Sequence, residues 1–201
     1  MIAILDYGLG NLGSIRNMLK RIGEDSIITN DKEVIISADK LILPGVGKFD
    51  AGIEGLNKAD LVPIIKEEIL NKKKKILGIC LGMQLLLDGS EEGRLEGLGL
   101  IHGFSKRFPN DLDLRVPNMG WNEVFSDESC VLTQEVPKPM RFYFAHSYYA
   151  KTDVESESVI WTEYGLRYAS GIKKENVFGV QFHPEKSHKY GMQLLKNFAS
   201  L

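Results

Sequence analysis

Residues Ile2 to Leu5 are apolar at every position, and Leu12, Ile15, Leu19 and Ile22 then recur at intervals of three and four. A short run without alternation reads as a strand covered on both faces, and the spacing that follows puts one apolar stripe on a helix. Gly23 marks where that helix stops. The succession then repeats. Leu41-Ile42-Leu43 is a strand that enters the turn Pro44-Gly45-Val46-Gly47 and two helical stretches, the latter including Ile64, Ile65, Glu68 and Ile69. Ile76 to Ile79 is another short buried strand. Strands alternating with helices predict a parallel sheet flanked by helices.

From about Gly97 to Gly179 the pattern changes to short strands separated by turns, among them Trp121–Phe125, Arg141–Ala145, Tyr148–Lys151 and Arg167–Ile172. These predict an antiparallel or mixed extension of the same sheet. Val177–Phe182 is expected to be the last strand, and Tyr190, Leu194, Leu195 and Phe198 mark one face of a closing helix. No internal repeat, low-complexity tract or linker interrupts the pattern, so residues 1–201 are expected to form a single α/β domain.

Composition narrows the function classes. A net charge of −2 gives no electrostatic footprint for nucleic acid or an anionic membrane. The one basic run, Lys72 to Lys75, follows a helical pattern and reads as a solvated helix end favoured by the helix dipole. Cys80 and Cys130 are too few for a disulfide framework, and no leader pattern or bilayer-length apolar stretch is present. The expectation is a soluble, cytoplasmic protein with reduced thiols.

"DYGLGNLGS", residues Asp6 to Ser14, places Gly8, Gly10 and Gly13 in G-x-G-x-x-G spacing after the first strand, and Asp31 follows where a ribose-binding carboxylate would sit. A nicotinamide or flavin enzyme is therefore one reading. Against it, Asp6 and Tyr7 separate the strand from the first glycine, whereas the cofactor turn begins where the strand ends.

The strongest chemical signal is "KILGICLGMQLL", residues Lys75 to Leu86. A buried strand ends at Cys80, Gly78 and Gly82 flank it, and a helical run begins at once. G-x-C-x-G is the cysteine form of the nucleophile elbow, in which a strained strand-to-helix turn needs small neighbours. The sulfur then sits at a helix N-terminus, and the N–H of Leu81 points where an oxyanion would form. The plain alternative is a structural cysteine beside packing glycines. A cysteine nucleophile needs a base. His183, in "GVQFHPEKS", follows the last strand and so falls at the carboxyl edge of the sheet, where open α/β sheets place their sites. Glu185 lies two residues on and is suited to fix its tautomer. His146 also ends an apolar strand and stays a second candidate, while His102 and His188 read as ordinary loop or surface residues. "LPGVGKF" adds a turn whose Gly45 and Gly47 free backbone N–H groups to face an anion.

Together, "DYGLGN", "PGVG", "GICLGMQLL", "MGWNEV", "RFYFAHSYY" and "GVQFHPEKS" resemble the class I glutamine amidotransferases, and most specifically the glutaminase subunits of imidazole glycerol phosphate synthases. The resemblance runs nearly end to end. It implies a three-layer, flavodoxin-like fold with a mixed, mostly parallel central sheet and an antiparallel extension. It further implies that Cys80, His183 and Glu185 form the catalytic triad, that Val46 and Leu81 supply the oxyanion hole, and that Gly47, Gln84, Glu92, Ser147 and Tyr148 hold glutamine. No cofactor or metal is expected. The implied partner is a (β/α)8-barrel cyclase subunit that uses the ammonia in histidine synthesis, forming a heterodimer, with Asn11, Trp121, Tyr143 and Lys186 at or near the interface.

Two features complicate the resemblance. Asn118, in "VPNMGWN", stands where histidine is expected. "HSYY" and "HPEKSHKYGMQLLKNF" also resemble paralogues that feed ammonia to an amidotransferase acting on a surface-polysaccharide sugar. A catalytically silent binding module that keeps the elbow only for packing is the alternative of another class.

Overall fold

The structure is a computed structural model and describes residues 1–111 and 114–201. The strands of the first part are β1 (Ile2–Leu5), β2 (Ser26–Thr29), β3 (Lys40–Leu43) and β4 (Lys75–Ile79). Those of the second are β5 (Gly89–Ser90), β6 (Gly103–Arg107), β7 (Asn118–Ser126), β8 (Arg141–His146), β9 (Tyr148–Thr152), β10 (Ser158–Tyr164), β11 (Leu166–Lys174) and β12 (Val177–Val180). Helices are α1 (Leu12–Arg21), α2 (Lys32–Ser37), α3 (Phe49–Lys58), α4 (Val62–Lys66), α5 (Leu81–Leu85) and α6 (His188–Ser200).

All the described strands join one sheet, in the order β2-β1-β3-β4-β12-β11-β10-β7-β8, with β9 bridging β11 to β6 and β6 pairing β5. The pairs from β2 through β12 are parallel. From β12 outward to β8 every pair is antiparallel, as the changed pattern after Gly97 predicts.

The continuous apolar runs have a direct explanation in the register. Ala3 and Leu5 point into one core with Ile35, Phe49, Leu56 and Ile65 of α2, α3 and α4. Ile2 and Ile4 point into the other, with Ile15 and Leu19 of α1 and Leu194 and Phe198 of α6. A strand with period-2 side chains and helices on both faces has no position left for a polar residue. Each such fully buried aliphatic side chain contributes about 1.5–3 kcal/mol.

Three expectations need correction. The lysine run is not uniformly solvated. Lys72 and Lys73 are exposed, but Lys74, its side chain 9% exposed, pairs with Glu68 at 2.7 Å and donates to the carbonyls of Ile35 and Ile36 at the end of α2. A five-residue π-helical turn, Glu67–Asn71, brings Glu68 into that position. Asp31 is a helix cap, accepting the N–H groups of Glu33 and Val34 at 2.8 and 3.3 Å, so its carboxylate is committed to α2. The last strand stops at Val180, two residues before its expected end, because the chain turns there toward the site.

Candidate active site

The parallel strands end their carboxyl edge with the functional loops. β4 delivers Cys80 at φ 54°, ψ −109°, a conformation that costs a non-glycine residue about 1–3 kcal/mol and is held only by over-determined surroundings. The restraints are visible. The N–H of Cys80 donates to Val180 at 2.8 Å, extending the β4–β12 ladder, and its carbonyl accepts from Met83 and Gln84. A Cβ on Gly82 would lie 1.8 Å from the Leu43 carbonyl oxygen, and one on Gly78 would lie 2.7 Å from the Gly82 oxygen. G-x-C-x-G is therefore a packing requirement of the elbow. As the first residue of α5, Leu81 has no intrahelical acceptor for its N–H.

His183 lies beyond β12, where its backbone N–H donates to Tyr143 at 2.8 Å. Ser187 ties the same two residues together, donating its hydroxyl to the His183 carbonyl and accepting from the Tyr143 N–H. A 3-10 turn, Pro184–Lys186, folds Glu185 back so that its Oε1 sits 2.8 Å from Nδ1 of His183. Burial alone would lower the imidazole pKa. Hydrogen bonds to Cys80 and Glu185, and the negative charge at both, outweigh it and push His183 up to about 10. The imidazolium is thus the neutral-pH form, placed between a sulfur and a carboxylate.

His146 is a different kind of histidine. Its Nδ1 donates to the Tyr148 carbonyl at 2.8 Å, and its Nε2 accepts from the Tyr168 hydroxyl at 3.1 Å, which fixes one neutral tautomer. Burial lowers its pKa to about 4, with the His183 charge acting in the same direction. Both ring nitrogens are engaged in this network, and among the described residues no carboxylate orients it. Asn118, 1% exposed, joins this network by donating toward His146 and Tyr168. Its side chain is committed to the buried network around His146. His102 is a surface residue facing Asp88, as expected. His188 is likewise exposed, and its ring stacks on Trp121 at 5.6 Å with an interplanar angle of 6°.

A cavity of about 270 Å³ opens over the sulfur and is lined by Val46, Gly47, Cys80, Leu81, Gln84, Glu92, Ser147, Tyr148 and His183, with Pro117, Ala145, His146 and Lys186. Every residue expected to hold glutamine lies on its wall. Gln84 is pinned by donating to the Tyr148 carbonyl at 3.0 Å and to Gln181 at 3.1 Å. Glu92 accepts the Phe49 N–H at 2.9 Å, capping α3 with one oxygen. Val46 is 41% exposed, so the expected oxyanion turn forms the open side.

Of the expected interface residues, three form one cluster beside the mouth. Trp121 packs edge-on to Tyr143, and the Lys186 ammonium lies 5.6 Å from the Tyr143 ring centre. Asn11 stands apart from them at the start of α1.

Gln181 was not singled out from the sequence. Its amide, 0% exposed, donates to the Cys80 sulfur at 3.7 Å. The available signal was an amide inside the apolar stretch "VFGVQF".

The model of the family described as "Glutamine amidotransferase class-I" matches residues 3–200. The chain belongs to the class I glutamine amidotransferases. Within that family, it is 49% identical to the "Imidazole glycerol phosphate synthase subunit HisH 2" of Methanococcus maripaludis, over 98% of each chain. It is 46% identical to the protein of the same description from Pseudomonas aeruginosa, over the full length of both. Among solved structures, one described as a glutamine amidotransferase superposes with a TM-score of 0.74 at 16% identity, covering 100% of this chain and 99% of that one. At such identity the likeness shows the amidotransferase fold alone, and it covers both the parallel sheet and its extension.

Proposed function

We propose that this amidotransferase is the glutaminase subunit of an imidazole glycerol phosphate synthase, with Cys80, His183 and Glu185 as its triad. The observation that carries the catalytic assignment is the buried Cys80–His183–Glu185 array, with His183 held as the imidazolium over the glutamine-sized cavity. The relatives' shared description carries the pathway.

In this reading, the Cys80 sulfur attacks the amide carbon of glutamine, and the carbonyl electron pair moves onto oxygen. The N–H groups of Leu81 and Val46 receive that oxyanion. His183 gives its proton to the amide nitrogen, the C–N bond breaks, and ammonia leaves a thioester on Cys80. A water then loses a proton to His183 and attacks the thioester. The C–S bond breaks, glutamate departs, and the starting charge pair is restored. Gly47, Gln84, Glu92, Ser147 and Tyr148 hold the substrate, while Glu185 keeps His183 in the tautomer and orientation both half-reactions need.

Ammonia released into water would be protonated and lost. The open side of the cavity, at Val46 and beside Trp121, Tyr143 and Lys186, is where a (β/α)8-barrel cyclase subunit would dock as a heterodimer, with Asn11 on the neighbouring loop. The exposed Val46 turn supports weak activity of the chain alone, rising once the partner settles it. Resemblance of the "HSYY" and "HPEKSHKYGMQLLKNF" segments to paralogues favours a second reading, in which the ammonia serves a surface-polysaccharide sugar.

The test is to purify the tagged chain with its natural barrel subunit and supply glutamine and phosphoribulosyl-formimino carboxamide ribonucleotide. Equal amounts of glutamate and imidazole glycerol phosphate are expected. Glutamate formed without that product would move the assignment to the second reading.

A further inference from the structure

Tyr7 has no part in the chemistry described above, yet it reaches its center from the loop after β1. Its side chain is buried, at 6% exposure, and its hydroxyl donates to the Pro44 carbonyl oxygen. That carbonyl shares one rigid peptide plane with the N–H of Gly45, so fixing the oxygen orients the whole unit. Gly45 is clamped in turn: a Cβ there would lie 2.6 Å from the Tyr7 hydroxyl, 2.9 Å from the Leu81 Cβ and 3.0 Å from the Gly82 nitrogen. One end of the turn is thus jammed between Tyr7 and the elbow.

The other end is free. Val46 is 41% exposed, and Gly47, at φ 121°, has open space where a side chain would be. A turn with a fixed first peptide and a loose remainder takes its direction from the fixed one. We propose that Tyr7 is a positioning residue of the glutaminase reaction, its hydroxyl fixing the Pro44–Gly45 peptide so that the following N–H groups face the developing oxyanion. This inference rests on the glutaminase reading and extends it to a residue outside the cavity. Two further observations agree with it. Helix α3 is built around the tyrosine, since a Cβ on Gly55 would meet the Tyr7 carbonyl oxygen at 2.7 Å and its ring at 3.0 Å. Burial, and then the negative charge at Cys80, hold the phenol protonated well above the usual tyrosine range, so it remains a donor at any working pH.

The test uses the full chain in complex with its barrel subunit. Tyr7→Phe keeps the ring and removes the donor. Misplacing an oxyanion donor affects the transition state and leaves ground-state binding alone, so kcat for glutamate release is expected to fall about tenfold or more, with KM within about twofold. Alkylation of Cys80 by iodoacetamide passes through no oxyanion, and its rate and pH profile are expected to stay at the wild-type values. A parallel loss of alkylation would overturn the proposal, because it would mean general disruption of the elbow. Incorporation of 3-fluorotyrosine at position 7 restores a hydroxyl donor and is expected to restore kcat; a kcat as low as that of Tyr7→Phe would overturn the hydrogen bond as the cause. Wild-type kcat in Tyr7→Phe overturns this proposal alone, whereas a wild-type complex that releases no glutamate overturns it together with the glutaminase reading.

Discussion

Oε1 of Glu185 lies 2.8 Å from Nδ1 of His183, with the two side chains 1% and 2% exposed. A carboxylate this buried is stable as an anion only beside a cation, and its other oxygen has no partner among the described residues. The pair therefore depends on the imidazolium, which in turn depends on Cys80. Cys80→Ser is expected to lower the His183 pKa by more than about one unit from its wild-type value near 10, read from the pH dependence of its imidazole NMR signals. An unmoved titration would mean that the sulfur does not hold the proton in place. Because the folded pKa is raised, this group's contribution to stability is complete below its ordinary value of 6.5 and is lost as pH rises through about 10.

His146 has the opposite linkage. Its folded pKa, near 4, lies below its ordinary 6.5, so the unfolded chain binds the extra proton between those values. Stability from this source is present above pH 6.5 and is lost as pH falls toward 4. His146→Gln is expected to flatten that acid-side slope in urea unfolding measured across the window. At neutral pH it should cost about 1–3 kcal/mol, because the Tyr148 carbonyl and the Tyr168 hydroxyl each lose one of their hydrogen bonds in a buried network. A slope equal to the wild type's would contradict the neutral, buried histidine.

Gly82→Ala addresses the elbow itself. The new methyl would have to occupy space 1.8 Å from the Leu43 carbonyl oxygen, a backbone atom with no rotamer to yield. Destabilisation of more than about 3 kcal/mol is expected from overpacking at a strained turn, measured by chemical unfolding. A fully stable variant would show that the elbow can open without loss.

Much of this was legible from sequence because the physics is local. Ile2–Leu5 and Ile76–Ile79 are apolar throughout since helices cover both faces of their strands, and the glycine at 78 is forced by the nearby Gly82 and Leu86, although Gly82 answers to Leu43 on the neighbouring strand. The contrast between His183 and His146 was less so. Both end apolar strands, and only the turn at Pro184 and the carbonyl of Tyr148 separate a charged histidine from a neutral one. Asp31 matched the spacing of a ribose-binding acid, but capping α2 claims it, a local competition that motif spacing does not register. Lys74 and Gln181 act through residues distant in sequence, Ile35 and Cys80, and no pattern along the chain announces such contacts.

Trp121, 38% exposed and stacked on His188, has the character of an interface anchor. Trp121→Ala is expected to weaken binding of the proposed barrel subunit by about tenfold or more in titration calorimetry. Unchanged affinity would remove this cluster from the docking surface.

The most direct measurement is glutamate release by the chain with the proposed barrel subunit, compared between wild type and Cys80→Ala. Release by the wild type and none above background from the variant is the expected result. Wild-type glutamate production by Cys80→Ala would contradict the nucleophile, and with it the triad.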